Sequence, residues 1–109
     1  MASEQYSYVL TETAEADIEA AFDYIASELS NPEAVSSFAD ELVEKLEELC
    51  RTPKSGRPVQ NPYLKRDGVR RVLVKNYIAY YLVDDAGMKI IVLRVVYSRR
   101  DQDIILKSV

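Results

Sequence analysis

The sequence predicts an α+β fold of two layers: an N-terminal strand, a helical hairpin, then a three-stranded antiparallel meander. Three observations predict it. Two stretches between residues 12 and 50 carry apolar side chains at helical spacing. From residue 68 onward, β-branched and aromatic residues crowd three runs. Short turn signals separate those runs, so consecutive strands should pair antiparallel. The chain has 109 residues, 48% of them apolar, which is enough for one domain (1–109) with its own core.

The first strand is "YSYVL", Tyr6 to Leu10, where Tyr6, Tyr8 and Leu10 alternate with Ser7 and Val9. Thr11 or Thr13 can cap the helix that follows, and Glu12, Glu15 and Asp17 suit its positive N-terminal end. Ile18, Phe22, Ile25 and Leu29 define its apolar face, and the helix stops near Ser30. Asn31 caps a second helix with Pro32 at its first position. Val35, Phe38, Leu42, Leu46 and Leu49 form the stripe of that helix; Asp40, Glu41, Glu44, Glu47 and Glu48 lie opposite. "RTPKSGRPVQNP", Arg51 to Pro62, reads as a loop because it holds three of the four prolines. The meander strands are "GVRRVLV" (Gly68 to Val74), "YIAYYLV" (Tyr77 to Val83) and "MKIIVLRVVY" (Met88 to Tyr97), with turns at Lys75–Asn76 and at Asp84 to Gly87. One sheet face should pack on the helices and the other should meet solvent or a partner.

The net charge of −4 hides a division. Residues 1–50 hold thirteen acidic side chains and one basic, a net −12, whereas residues 51–109 hold thirteen basic and five acidic, a net +8. Such asymmetry fits a charged partner, and it equally fits two faces that attract each other within one fold. Several chemistries are excluded. The chain has no histidine, one cysteine (Cys50) and three isolated glycines, so His-based triads, disulfides, a structural zinc site and a glycine-rich phosphate loop find no residues. No cofactor is expected. The N-terminal "MASEQYSYVL" lacks a signal-peptide pattern and no run is long enough to span a membrane, so a soluble cytoplasmic protein is expected.

The basic half remains as the place for function. Lys65 and Arg66 precede the first meander strand, Arg70 and Arg71 lie on it, Arg94 interrupts the last strand, and Arg99 and Arg100 follow it before Asp101. Tyr77, Tyr80, Tyr81 and Tyr97 are interleaved. Guanidinium forks match phosphates and carboxylates, and aromatic rings offer stacking surfaces, so an RNA backbone or an acidic protein segment suits the set. Each residue also has a plainer reading. One of Arg70 and Arg71 faces water by alternation, Arg94 is a structural ion pair with a helix carboxylate, Arg99 pairs with Asp101, and most of the tyrosines are core or rim. Cys50 reads as a small buried apolar residue.

The order of elements, with "GVRRVLVKNYIAYYLVDD" and "IIVLRVVYSRRD", resembles the RelE/ParE superfamily of toxins from bacterial type II toxin–antitoxin modules. The resemblance runs from Tyr6 to about Leu106, and its most specific part is the ending: Arg94-Val95, Tyr97, Arg99-Arg100, Asp101. It implies one of two activities. ParE-like toxins of plasmid-stabilisation systems bind DNA gyrase and poison it; RelE-like toxins cut mRNA in the ribosome by attack of the ribose 2′-hydroxyl on the adjacent phosphate. The RelE-like branch carries an arginine where this chain has Ile78, and a tyrosine or histidine near the C-terminus that "DIILKSV" lacks. The ParE-like reading is therefore favoured, with growth inhibited by contact. Its target surface would comprise Lys65, Arg66, Arg70, Arg71, Arg94, Tyr97, Arg99, Arg100 and Asp101. A nuclease would draw on Arg70, Arg71, Tyr97, Arg99 and Arg100. A third reading is a non-toxic relic that serves as a partner-binding module. The resemblance also implies a cognate antitoxin, whose segment along the acidic residues 12–48 should be less acidic than usual.

Overall fold

The computed structural model describes residues 5–109. The first four residues of the N-terminal stretch, and what was read from them, lie outside the described residues. The elements run β1 (Ser7–Leu10), α1 (Glu12–Leu29), α2 (Pro32–Arg51), β2 (Arg57–Pro58), β3 (Arg70–Val74), β4 (Tyr77–Asp84), β5 (Lys89–Tyr97) and α3 (Gln102–Lys107). This is the α+β arrangement the periodicity predicts, with two additions: β2 inside the proline-rich loop, and α3 at the end.

Both long helices start where side-chain oxygens can take orphan amides. Thr11, not Thr13, caps α1 by accepting the Ala14 N–H at 3.1 Å. Asn31 caps α2 by accepting the Glu33 N–H at 3.0 Å, with Pro32 at the first helical position. Between them Ser30 takes a left-handed conformation (φ 47°) and closes α1 with an N–H to the Ala26 carbonyl. No described helix is long and apolar enough to cross a membrane.

The sheet order is β1-β5-β4-β3-β2. The meander pairs are antiparallel, while β1 runs parallel to β5, with Tyr8 opposite Ile90. The helices cover one face. Ile18, Phe38, Leu42, Leu46 and Leu49 pack there on Val74, Tyr77, Ala79, Tyr81, Ile90, Val92 and Val95. The opposite face is not left to solvent or a partner as expected. Its centre is a second cluster, in which Ile105 and Leu106 of α3 pack with Val69, Ile78, Tyr80 and Val96. The reason is local: Asp101 caps α3 by accepting the Asp103 N–H at 3.1 Å, and a single apolar turn then fits over the strand residues. Asn61 donates to Asp103 at 2.8 Å and the Lys107 ammonium sits 4.6 Å from the Tyr63 ring centre, so the 59–69 loop and α3 hold each other.

One irregularity places the arginine of the apolar strand. Tyr80 faces Arg94 but Tyr81 faces Val92, so Leu93 is the extra residue of a β-bulge in β5. Before the bulge Ile90 and Val92 face the helices; after it Val95 and Tyr97 do, and Leu93 and Val96 join the other cluster. Arg94 occupies the step where the phase changes.

Candidate functional site

The structure separates the predicted basic residues into groups that do not share one surface. Arg94 is turned inward. Its Nε and Nη2 donate to the two carboxylate oxygens of Asp17 on α1, at 2.8 and 3.1 Å, and its Nη1 donates to the Ser108 hydroxyl at 3.1 Å. The Asp17 carboxylate also accepts the Val95 N–H at 3.0 Å, beside the bulge. Both side chains are about six-sevenths buried (15% and 13% exposed), so this fork ties helix, strand and C-terminus together.

Arg70 and Arg71 part by alternation. Arg70 stands opposite Tyr81, and its Nη1 donates to the Lys54 and Gly56 carbonyls at 3.1 and 2.7 Å. The Tyr81 hydroxyl donates to the Pro53 carbonyl at 2.8 Å and accepts the Gly56 N–H at 3.0 Å. Together they staple residues 53–56 to the sheet, and this turn brings β2 alongside β3. Arg71 stands opposite Tyr80, on the α3 side. Lys65 and Arg66 are exposed in the loop before β3. Asp101 caps α3 and makes no ion pair with Arg99 among the described residues.

Tyr97, Arg99 and Arg100 do lie together, at the end of β5. The turn there is set by two amides: Ser98 N–H to the Asn76 carbonyl at 2.8 Å, and Arg100 N–H to the Tyr97 carbonyl at 3.1 Å. Arg99 and Arg100 are exposed. Arg100 borders a depression of about 410 Å³ with Asp17, Tyr24, Tyr77 and Tyr97. A neighbouring depression of about 480 Å³ shares the three tyrosines and continues along Leu29, Phe38 and Lys75. The rings of Tyr77 and Tyr97 meet edge to face at 5.6 Å, and Phe38 lies 4.9 Å from Tyr77. The result is an aromatic groove between α1 and the sheet, with exposed Tyr24 and Leu29 on its lip and arginines at one end. Leu29, which the helical spacing assigns to the apolar face, is exposed instead, and Tyr24, which no sequence pattern singles out, lines the same groove.

The tyrosines of β4 are made weaker acids by their surroundings. Burial pushes the Tyr80 and Tyr81 hydroxyls above the ordinary tyrosine value, and burial with Tyr24 and Tyr97 nearby does the same for Tyr77. Burial, with Glu47 nearby, likewise pushes the Cys50 thiol up. Among the described residues no cluster of three or more His, Cys, Asp or Glu is placed to hold a metal ion.

A helical hairpin over one face of a small mixed sheet is the architecture this chain shares with toxins of the RelE/ParE superfamily. The family described as "ParE toxin of type II toxin-antitoxin system, parDE" matches residues 8–102. The chain belongs to that family. It is similar to a solved chain of the chromosomal ParDE toxin–antitoxin system from P. aeruginosa, with 26% identity and a TM-score of 0.68, over 87% of this chain and 98% of that one. It also shares its fold with a chain of the toxin–antitoxin complex RelBE2 from Mycobacterium tuberculosis, at 22% identity and a TM-score of 0.61, over 85% and 98% of the two chains. No curated protein matches it.

Proposed function

We propose that this protein inhibits growth as the toxin of a plasmid-stabilisation type toxin–antitoxin pair, by binding a target protein, DNA gyrase, and not by cutting RNA. The observation that carries this reading is Ile78. It stands where the nuclease branch has arginine, is 3% exposed, and lies in one cluster with Ile105 and Leu106. A cleaving site needs a base for the 2′ proton and cations for the phosphate at that place. Here that position is filled by an apolar side chain packed under α3, and burial pushes the Tyr80 and Tyr81 hydroxyls above the ordinary tyrosine value, away from general-base use. The aromatic groove beside Arg99 and Arg100 suits a protein segment. A cognate antitoxin is the second partner, in keeping with the toxin–antitoxin assemblies of the structural relatives.

Induction of the chain alone, with labelled thymidine and labelled amino acid followed in parallel, tests the proposal. DNA synthesis should stop first and cleaved gyrase–DNA complexes should accumulate. Arg99→Glu with Arg100→Glu should abolish the arrest at equal soluble protein level; continued arrest would remove both residues from the contact surface. An early halt in protein synthesis, with mRNA cut at ribosome positions, would make it a RelE-like endonuclease instead. Normal growth would leave a non-toxic partner-binding module.

A further inference from the structure

Arg57 and Arg71 are direct cross-strand neighbours in the β2–β3 pair. Like charges placed opposite each other on a sheet repel. Among the described residues neither guanidinium has a carboxylate partner or any other hydrogen bond, unlike Arg70, whose Nη1 donates to two carbonyls, and Arg94, which donates from all three nitrogens. The two arginines flank a concavity of about 490 Å³ whose floor is Gln60, Asn61, Tyr80 and Gln102. Two of these side chains, Tyr80 and Gln102, are tied to each other and to the backbone. Tyr80, 1% exposed, donates its hydroxyl to the Gln102 Oε1 at 2.7 Å, and the Gln102 amide nitrogen donates to the Arg100 carbonyl at 2.9 Å. Two unpaired guanidinium groups over this amide floor are an arrangement that costs the free protein stability and that a bound oxyanion would relieve.

We propose that the Arg57–Arg71 pair is a carboxylate seat for an aspartate or glutamate side chain on a segment of a partner protein. One observation favours a protein carboxylate over a nucleic-acid phosphate. The one aromatic residue lining it, Tyr80, is buried, so no ring is offered for a base to stack on. The seat lies on the α3 side of the sheet, away from the acidic hairpin, so one partner segment can be acidic here and neutral along α1 and α2. The inference rests on the reading that the protein works through protein partners. It extends that reading to a surface remote from the aromatic groove.

The test uses hexaglutamate peptide as the carboxylate probe and hexauridylate as the phosphodiester probe, on the full chain at low salt. Hexaglutamate should bind, shifting the backbone amides of residues 57–61, 71 and 102. Arg57→Gln with Arg71→Gln should weaken that binding at least tenfold. Arg51→Gln with Lys89→Gln, the same charge change at exposed positions elsewhere, should leave it unaltered. Each single arginine variant should also raise Tm, by about 1–4 °C, because a repulsion is removed. Unchanged peptide binding in the arginine double variant overturns the proposal, as does tighter binding of hexauridylate at the same amides. A fall in Tm for both single variants would show that the arginines hold the fold together instead. None of these outcomes depends on growth arrest, so the seat and the proposed toxicity stand or fall separately.

Discussion

Gly56 shows how closely single residues are fitted here. A Cβ at this position would overlap the Tyr81 hydroxyl and lie 2.9 Å from the Arg71 carbonyl oxygen. Neither neighbour can yield, since Tyr81 is fully buried and its hydroxyl is held by the Pro53 carbonyl. Gly56→Ala should therefore destabilise by roughly 2–4 kcal/mol and lower Tm by roughly 10–20 °C, as thermal unfolding followed by circular dichroism would show. At this scale the sequence is least informative about function. It names the arginines but not their directions. Alternation says that Arg70 and Arg71 part; only the staple at residues 53–56 decides that Arg70 is used up inside and Arg71 is left free. Likewise the ion-pair reading of Arg94 could be written from sequence, whereas its partner, Asp17, depends on where a bulge falls. Arg57 stands beside Pro58 in what reads as a loop, so nothing in the sequence marks its place opposite Arg71.

At the scale of elements, the hairpin and the meander were legible because their patterns are long and their caps conventional. The two missing elements are short. Two residues of β2 carry no periodicity, and α3 is a single apolar turn whose signal is only the Asp101 cap and the Ile105–Leu106 pair. Both are made by tertiary contacts and not by local preference. The consequence can be measured. Leu106, 3% exposed, packs in one cluster with Ile78, Tyr80 and Val96. Leu106→Ala should cost roughly 2–4 kcal/mol and expose the C-terminal segment to limited proteolysis before the rest of the chain. A variant with wild-type Tm and wild-type protease resistance would mean that α3 does not seal this face. The bulge was invisible for another reason: an extra residue in an unbroken apolar run leaves no trace in composition, and only the placement of Arg94 hints at it.

Across the whole molecule the charge division seen in the sequence becomes a division of layers. Acidic side chains crowd α1 and α2, basic ones the strands and their turns, and three ion pairs link the described residues. Two of those pairs, Lys54–Asp85 and Lys75–Glu41, are exposed and weak, so the core and not charge holds the layers. The pH dependence should follow the buried tyrosines. Their folded pKa values lie above the ordinary value near 10, so their contribution is intact below that pH and is lost as pH climbs through the raised folded values. Urea midpoints should hold from pH 7 to about 9 and fall steadily above about 10; an unchanged midpoint at pH 11 would contradict the assigned burial.

The parallel pairing of β1 with β5 sets a schedule for the molecule. Thr11 donates its hydroxyl to the Leu93 carbonyl, a contact that spans 82 positions of sequence. On the ribosome the first strand therefore emerges long before its only strand neighbour, and the helical hairpin must wait without the sheet it covers. The aromatic groove, which needs Tyr24 of α1 and Tyr97 of β5, comes into being only after β5 has emerged. A nascent chain therefore lacks the groove until β5 is in place, and whatever recognises the groove can capture only chains that have passed that stage.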